Sequence, residues 1–196
     1  MRNFQIKSVK NIQFILLILA LSLTACGQQK KENDGDTAVA KTTTKAPDLP
    51  LNAAIVAGDL ATVKKHIAAG TDLNEKDQLS GGTPLLTAIT FDKTDIAKAL
   101  IDAGADLSIK NNDGSTALHV AAFFCRIDAT KMLLEAGADK TVKNNYGATP
   151  RETVTANFAD MKPVYEMMKQ QLAPVGLQID LARIEKTRPT IAVMLQ

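Results

Sequence analysis

The 196 residues include two cysteines, Cys26 and Cys125, and two histidines, His66 and His119. These are the side chains best suited to nucleophilic, redox or metal chemistry. A catalytic cysteine needs a base oriented beside it. His119 precedes Cys125 by six residues. Helical geometry turns the two in different directions, so no nucleophile–base pair is expected. Two isolated histidines supply neither a zinc site nor a triad. Gly81-Gly82 lacks the lysine and the spacing of a phosphate-binding loop. The acidic residues fall at turns and at solvent-facing positions of helical segments. The sequence therefore predicts no catalytic residue, no metal and no cofactor. A thiol-dependent enzyme working through Cys125 is the remote alternative.

The elements that hold these residues must be helical and closely packed. Apolar residues make up 45% of the chain and aromatics only 4%, with no Trp. A core built this way rests on Ala, Leu, Ile and Val, which suits short helices in close approach. Arg2, Lys7 and Lys10 account for three of the 23 basic residues. The rest of the chain sets 20 basic against 21 acidic residues, a net of −1. That balance gives no basic face for nucleic acid.

Residues 1–25 form three zones. Arg2, Lys7 and Lys10 come first, then an apolar run from Phe14 to Leu23, then small residues. The run is roughly 10 residues, half of what a bilayer-spanning helix needs. This is the layout of a signal peptide. Leu23-Thr24-Ala25-Cys26 resembles the lipobox of bacterial lipoproteins. The resemblance implies that Cys26 is lipidated, with palmitate-type acyl chains, and that cleavage occurs before it. Cys125 then remains as the only thiol, so no intramolecular disulfide forms. Several acyl chains anchor a protein firmly where one is marginal. Residues 26–48 are polar and lack periodicity, and read as a flexible tether with a reach of roughly 25 Å. Gly27 stands where a retained inner-membrane lipoprotein often carries Asp. The expected location is thus the bacterial cell envelope, with the outer membrane favoured, on the periplasmic or surface face.

Beyond the tether the chain repeats itself. Thr83, Thr116 and Thr149 each follow glycine-bearing turns and open similar words: Thr-Pro-Leu-Leu, Thr-Ala-Leu-His and Thr-Pro-Arg-Glu. Ala-Gly-x-Asp recurs at 69–72, 103–106 and 136–139. Thr83-Pro84 offers a capping hydroxyl followed by Pro in the first turn of a helix. Leu85, Ala88 and Ile89 then form a helical stripe, as do Leu118, Ala121 and Ala122. Second helices are expected over Asp95–Asp102 and Asp128–Glu135, closed by Gly104 and Gly137. Asn-Asp-Gly at 112–114 and Asn-Tyr-Gly at 145–147 signal turns. One unit cannot bury its apolar face alone, and stacking does so.

This pattern resembles the ankyrin repeat. The resemblance spans 49–171 and implies an all-α solenoid of four helix-turn-helix units with hairpin-like loops. The units run at about 49–80, 81–113, 114–146 and 147–171. The outer two read as caps, with Lys65 and His66 facing water. In the fourth, Pro163 marks a late second helix with Met167 and Met168 as its apolar pair. Residues 172–196 form a C-terminal tail that covers the last repeat, with a short helical stripe at Leu177, Leu181 and Ile184 and a strand-like end at 191–195. The resemblance further implies a structural His119 that hydrogen-bonds backbone between units, and Cys125 in a turn where the family usually has Gly.

Ankyrin proteins mostly bind partners through loop tips and the concave face of the first helices. Carried onto this chain, that implies a partner-binding surface of Leu79, Phe91, Asp113, Phe123, Phe124 and Tyr146. Grouped exposed aromatics are typical interface anchors. The alternative is that some of these rings pack under loops or under the tail. The expected function is a lipid-anchored adaptor or scaffold that binds a protein. It acts as a monomer, touches membrane only through its anchor and does not bind nucleic acid. The alternative is an inhibitor or immunity-type protein that occludes an enzyme or toxin.

Overall fold

The structure, a computed structural model, describes residues 45–196. The signal peptide, the tetrad with Cys26 and most of the tether, residues 1–44, lie outside the described residues. In chain order the helices are α1 (Leu51–Ala57), α2 (Leu60–Ala68), α3 (Pro84–Thr90), α4 (Thr94–Asp102), α5 (Ala117–Phe123), α6 (Ile127–Glu135), α7 (Pro150–Thr155), α8 (Phe158–Leu172) and α9 (Leu181–Met194). A 3-10 turn at Ala173–Val175 lies between the last two, and no strand occurs among the described residues.

The inner helices start where the threonines predict. Leu86 N–H donates to Thr83 Oγ1 at 3.4 Å, and Glu152 N–H to Thr149 Oγ1 at 3.3 Å. Glu152 in turn accepts from Thr149 N–H at 2.7 Å, which satisfies two end amides reciprocally. The outer helices α4 and α6 match their expected spans within a residue. Each inner helix packs on its own outer helix and on the next inner helix, and α4 sits between α2 and α6. The alanines make this approach possible: Ala54, Ala88, Ala121 and Ala122 are all fully buried among Leu85, Leu118 and Leu133.

The turn from inner to outer helix uses a left-handed residue at the same place in three units: Gly58, Asp92 and Cys125. Glycine adopts this conformation without strain, while the φ of 57° at Asp92 and 52° at Cys125 strains a side-chain-bearing residue. Arg126 stiffens the pair of turns. Its Nη1 donates to Asp92 Oδ2 at 2.9 Å and its Nη2 to Thr90 O at 3.2 Å, tying the third unit to the second.

Three expectations need correction. His66 does not face water. It is buried, its Nε2–H donates to Leu49 O at 2.8 Å, and its Nδ1 accepts from the Thr71 hydroxyl at 3.0 Å. The segment before α1 covers it and supplies the acceptor. Second, the end of the chain is not strand-like: residues 191–194 belong to the 14-residue α9. Third, the outer helix of the fourth unit is not the one beginning near Pro163. α8 starts earlier, at Phe158 capped by Asn157, and carries Pro163 on its exposed side. It is α9 that packs on both α7 and α6, as α6 packs on α5 and α4. Ile191, Ala192 and Leu195 repeat the spacing of Ile96, Ala97 and Leu100, with Ile191 and Leu195 buried. Arg151 Nε donates to Ala192 O at 3.3 Å, and the Lys140 ammonium donates to Gln196 O, which pins the end of α9 to the stack. α8 is thus an insert between the two helices of the fourth unit.

Candidate functional site

The loops that project from the stack are built from one recurring device. Asp77, Asn111 and Asn144 each fold a turn with the side-chain oxygen. Asp77 accepts from the amides of Leu79, Ser80 and Gly82; Asn111 Oδ1 accepts from Asp113 and Ser115; Asn144 Oδ1 accepts from Tyr146 and Ala148. Burial works against the Asp77 carboxylate, but hydrogen bonds from the Ser80 hydroxyl and these amides hold it below the usual aspartate range. Neighbouring loops are then zipped together. Asn112 donates its backbone N–H to Ser80 O at 2.9 Å and its Nδ2 to Leu79 O at 2.9 Å. Asn145 repeats both bonds one unit on, to Asp113 O at 2.9 Å and Asn112 O at 3.0 Å. The glycines make room for this ladder: a Cβ on Gly114 would lie 2.8 Å from the Asn145 amide nitrogen.

This ladder fixes the tips. Leu79 and Tyr146 are each 56% exposed, large and apolar at the outer edge. The Tyr146 hydroxyl donates to Asp113 Oδ1 at 3.2 Å across the loop junction. Burial and the facing Asp113 carboxylate push the Tyr146 phenol above its ordinary value. Three of the expected contact residues, Leu79, Asp113 and Tyr146, therefore meet along one edge.

The concave side of the inner helices is lined by Thr87, Thr90, Phe91, Val120, Phe123 and Thr153, all half-buried. Three hydroxyls turn inward: Thr87 donates to Thr83 O, Thr90 to Leu86 O at 2.9 Å and Thr153 to Pro150 O at 2.7 Å. What remains outward is methyl groups and rings, so the strip is apolar despite its threonines. Phe124 departs from expectation. It is 5% exposed, packs edge-on to Phe123 at 5.0 Å and lies 5.7 Å under the Arg126 guanidinium, so it belongs to the core. Phe123 is half covered, because Tyr165 of α8 stacks on it at 4.5 Å.

Two residues escaped the sequence reading. Tyr165 is 0% exposed, and its hydroxyl donates to Phe123 O at 2.7 Å. Burial pushes its phenol far up, so it stays a donor. Arg188 of α9 is buried below it, donates to Ala156 O and lies 5.6 Å over the Phe158 ring. Tyr165 is one of only two tyrosines, and that scarcity was the available signal.

Cys125 and His119 both lie buried in the stack. Burial pushes the Cys125 thiol up to about 11, against smaller opposing effects of Arg188 and Arg126. The cleft beside it holds about 100 Å³, well below the roughly 300–1,000 Å³ of ligand pockets. His119 donates Nε2–H to Ala148 O at 3.0 Å, and its Nδ1 accepts from Thr116 N–H at 3.2 Å. The carbonyl partner fixes the tautomer, and burial lowers the imidazole below its ordinary value. The recurring Asp106 and Asp139 accept from Ser108 and Thr141, whose hydroxyls and amides hold the carboxylates low.

Residues 51–144 match the family model described as ankyrin repeats, in three copies. The chain is 41% identical over 58 residues to inversin of Gallus gallus, covering 30% of this chain and 5% of that protein. It is 39% identical over 64 residues to protein phosphatase 1 regulatory subunit 27 of Homo sapiens, covering 33% of this chain and 41% of that protein. The mouse protein of that name matches to the same extent. The chain thus spans less than half the length of these relatives. Among solved structures it resembles the ankyrin repeat domain of Bcl-3, with a TM-score of 0.52 and 26% identity over 58% of this chain and 53% of that one. The fold is an all-α ankyrin-repeat solenoid.

Proposed function

We propose that this solenoid is a protein-binding module of a bacterial cell envelope, held at the membrane by lipid on Cys26 and engaging its partner with the loop tips and concave strip. The observation that carries the binding reading is the hydrogen-bonded ladder of Asn112 and Asn145. It presents Leu79 and Tyr146 as exposed apolar residues on a rigid edge. A preorganised surface loses little conformational entropy on binding, and exposed aromatics are favoured anchors. The ankyrin repeats support a protein as the partner, as does the likeness to a relative named as a regulatory subunit of an enzyme.

The test is a double substitution, Leu79→Ala with Tyr146→Ala. Both side chains are exposed, so the melting temperature should stay within about 4 °C of the parent, since each surface change stays within roughly 0.5 kcal/mol. Retention of the native partner should fall about ten-fold, the loss of one or two anchors at over 1 kcal/mol each. Unchanged retention would remove the loop edge from the account. The anchor is tested separately: Cys26→Ser should abolish incorporation of an alkynyl palmitate label and release the protein from membranes. Continued labelling would contradict it.

A further inference from the structure

We propose that α8 is a displaceable latch, resting in the place of a partner's helix at one end of the concave strip and held there by Tyr165. This rests on the binding reading above and deepens it by naming the partner's chemistry. The partner presents an amphipathic helix with a tyrosine on its apolar side.

Three observations lead there. First, α8 is not required to complete the stack, because α9 supplies the outer helix that packs on α7 and α6. A 15-residue helix has been set between two elements that already form a unit. Second, only Tyr165 of α8 is buried, and the remaining positions are half-buried or exposed. Phe158, Met161, Met168 and Leu172 add half-buried apolar contacts to the core, and Tyr165 is the deepest point of the attachment. Third, the attachment has the chemistry of recognition. The Tyr165 ring stacks on Phe123 at 4.5 Å and 30°, and its hydroxyl donates to Phe123 O at 2.7 Å. Phe123 ends α5, so its carbonyl is one of the four without an intrahelical partner. An incoming tyrosine can reproduce both contacts: a ring on Phe123 and a donor on that carbonyl.

Arg188 defines the seat from below. It belongs to α9, binds Ala156 O and reaches the Tyr165 oxygen at 3.5 Å. No carboxylate lies in ion-pair range of Arg188 among the described residues. Of its partners, the phenol and the Phe158 ring belong to α8, so Ala156 O alone holds Arg188 when α8 leaves. An incoming tyrosine would restore the phenol beside Arg188 and the ring on Phe123, which suits the seat to exchange of one tyrosine-bearing amphipathic helix for another.

The experiment uses the full chain and Tyr165→Ala, with hydrogen exchange read segment by segment. The expected result is faster exchange over 158–172, by about ten-fold or more, with α5, α6, α7 and α9 still protected. Tyr165→Phe keeps the ring and loses the donor, and should fall between the two. A synthetic peptide of residues 157–176 is then added in trans. It should bind the Tyr165→Ala chain at least about ten-fold more tightly than the parent, whose seat is filled. It should lose that preference when Phe123→Ala is added. Unchanged protection of 158–172 would overturn the proposal, as would loss of protection in α7 and α9 together with α8, or equal peptide binding to parent and variant. None of these readouts involves the loop tips, so this proposal and the binding reading can fail independently.

Discussion

Cys125 and His119 are both buried in the packing of the stack. A thiol raised from 9.0 to about 11 holds about 100-fold less thiolate near pH 8 than an ordinary one, and it is also 3% exposed. Reaction of the folded chain with a thiol reagent at that pH should be at least about 100-fold slower than in denaturant. Comparable rates would mean that the turn opens readily. His119 contributes a pH dependence near neutrality. Its imidazole is lowered below 6.5 in the folded chain, so the unfolded chain takes up a proton first. Its contribution is fully present above about pH 6.5 and is lost as pH falls through the folded value. Urea midpoints should therefore decline from about pH 7 to pH 5, and His119→Gln should flatten that slope. A midpoint that rises on acidification would contradict the buried, neutral assignment.

At the scale of elements, the loop ladder and the split fourth unit make the sharper predictions. Gly114→Ala adds a Cβ 2.8 Å from the Asn145 amide nitrogen at a φ of 71°. It should cost about 1–3 kcal/mol in unfolding experiments. Ile191→Ala should cost about 2–5 kcal/mol, as truncation of a buried outer-helix residue does. If 172–196 were only a loose cover, the Ile191 loss would be negligible. The sequence disclosed much of this. Thr83, Thr116 and Thr149 located the inner helices, and Gly104 and Gly137 the ends of the outer ones. It concealed the rest for physical reasons. Ile191-Ala192 and Leu195 repeat the word of Ile96-Ala97 and Leu100, but α8 displaces them from the period, so the spacing no longer announces an outer helix. Phe124 resembled an anchor by composition, yet the turn at Cys125 folds it under Arg126. His66 resembled a surface cap, yet Leu49 O supplies it a buried acceptor.

The described residues form a short stack in which stability passes between neighbours and one edge carries exposed apolar side chains. The turns facing away from the loop tips are cross-braced by Arg126, the ladder braces the tips, and α9 closes the fourth unit. That frame makes the exposed Leu79 and Tyr146 and the apolar strip from Thr87 to Thr153 a surface with fixed geometry. The central claim is that this surface, and not the outer helices, meets the partner. The most direct measurement replaces single residues with a photo-crosslinking amino acid in the cells of origin. Tyr146 samples the loop edge and Lys98, exposed on α4, samples the opposite side. The account predicts a discrete protein adduct from position 146 and none from position 98. A discrete adduct from position 98 alone, or the same adduct from both, would contradict it.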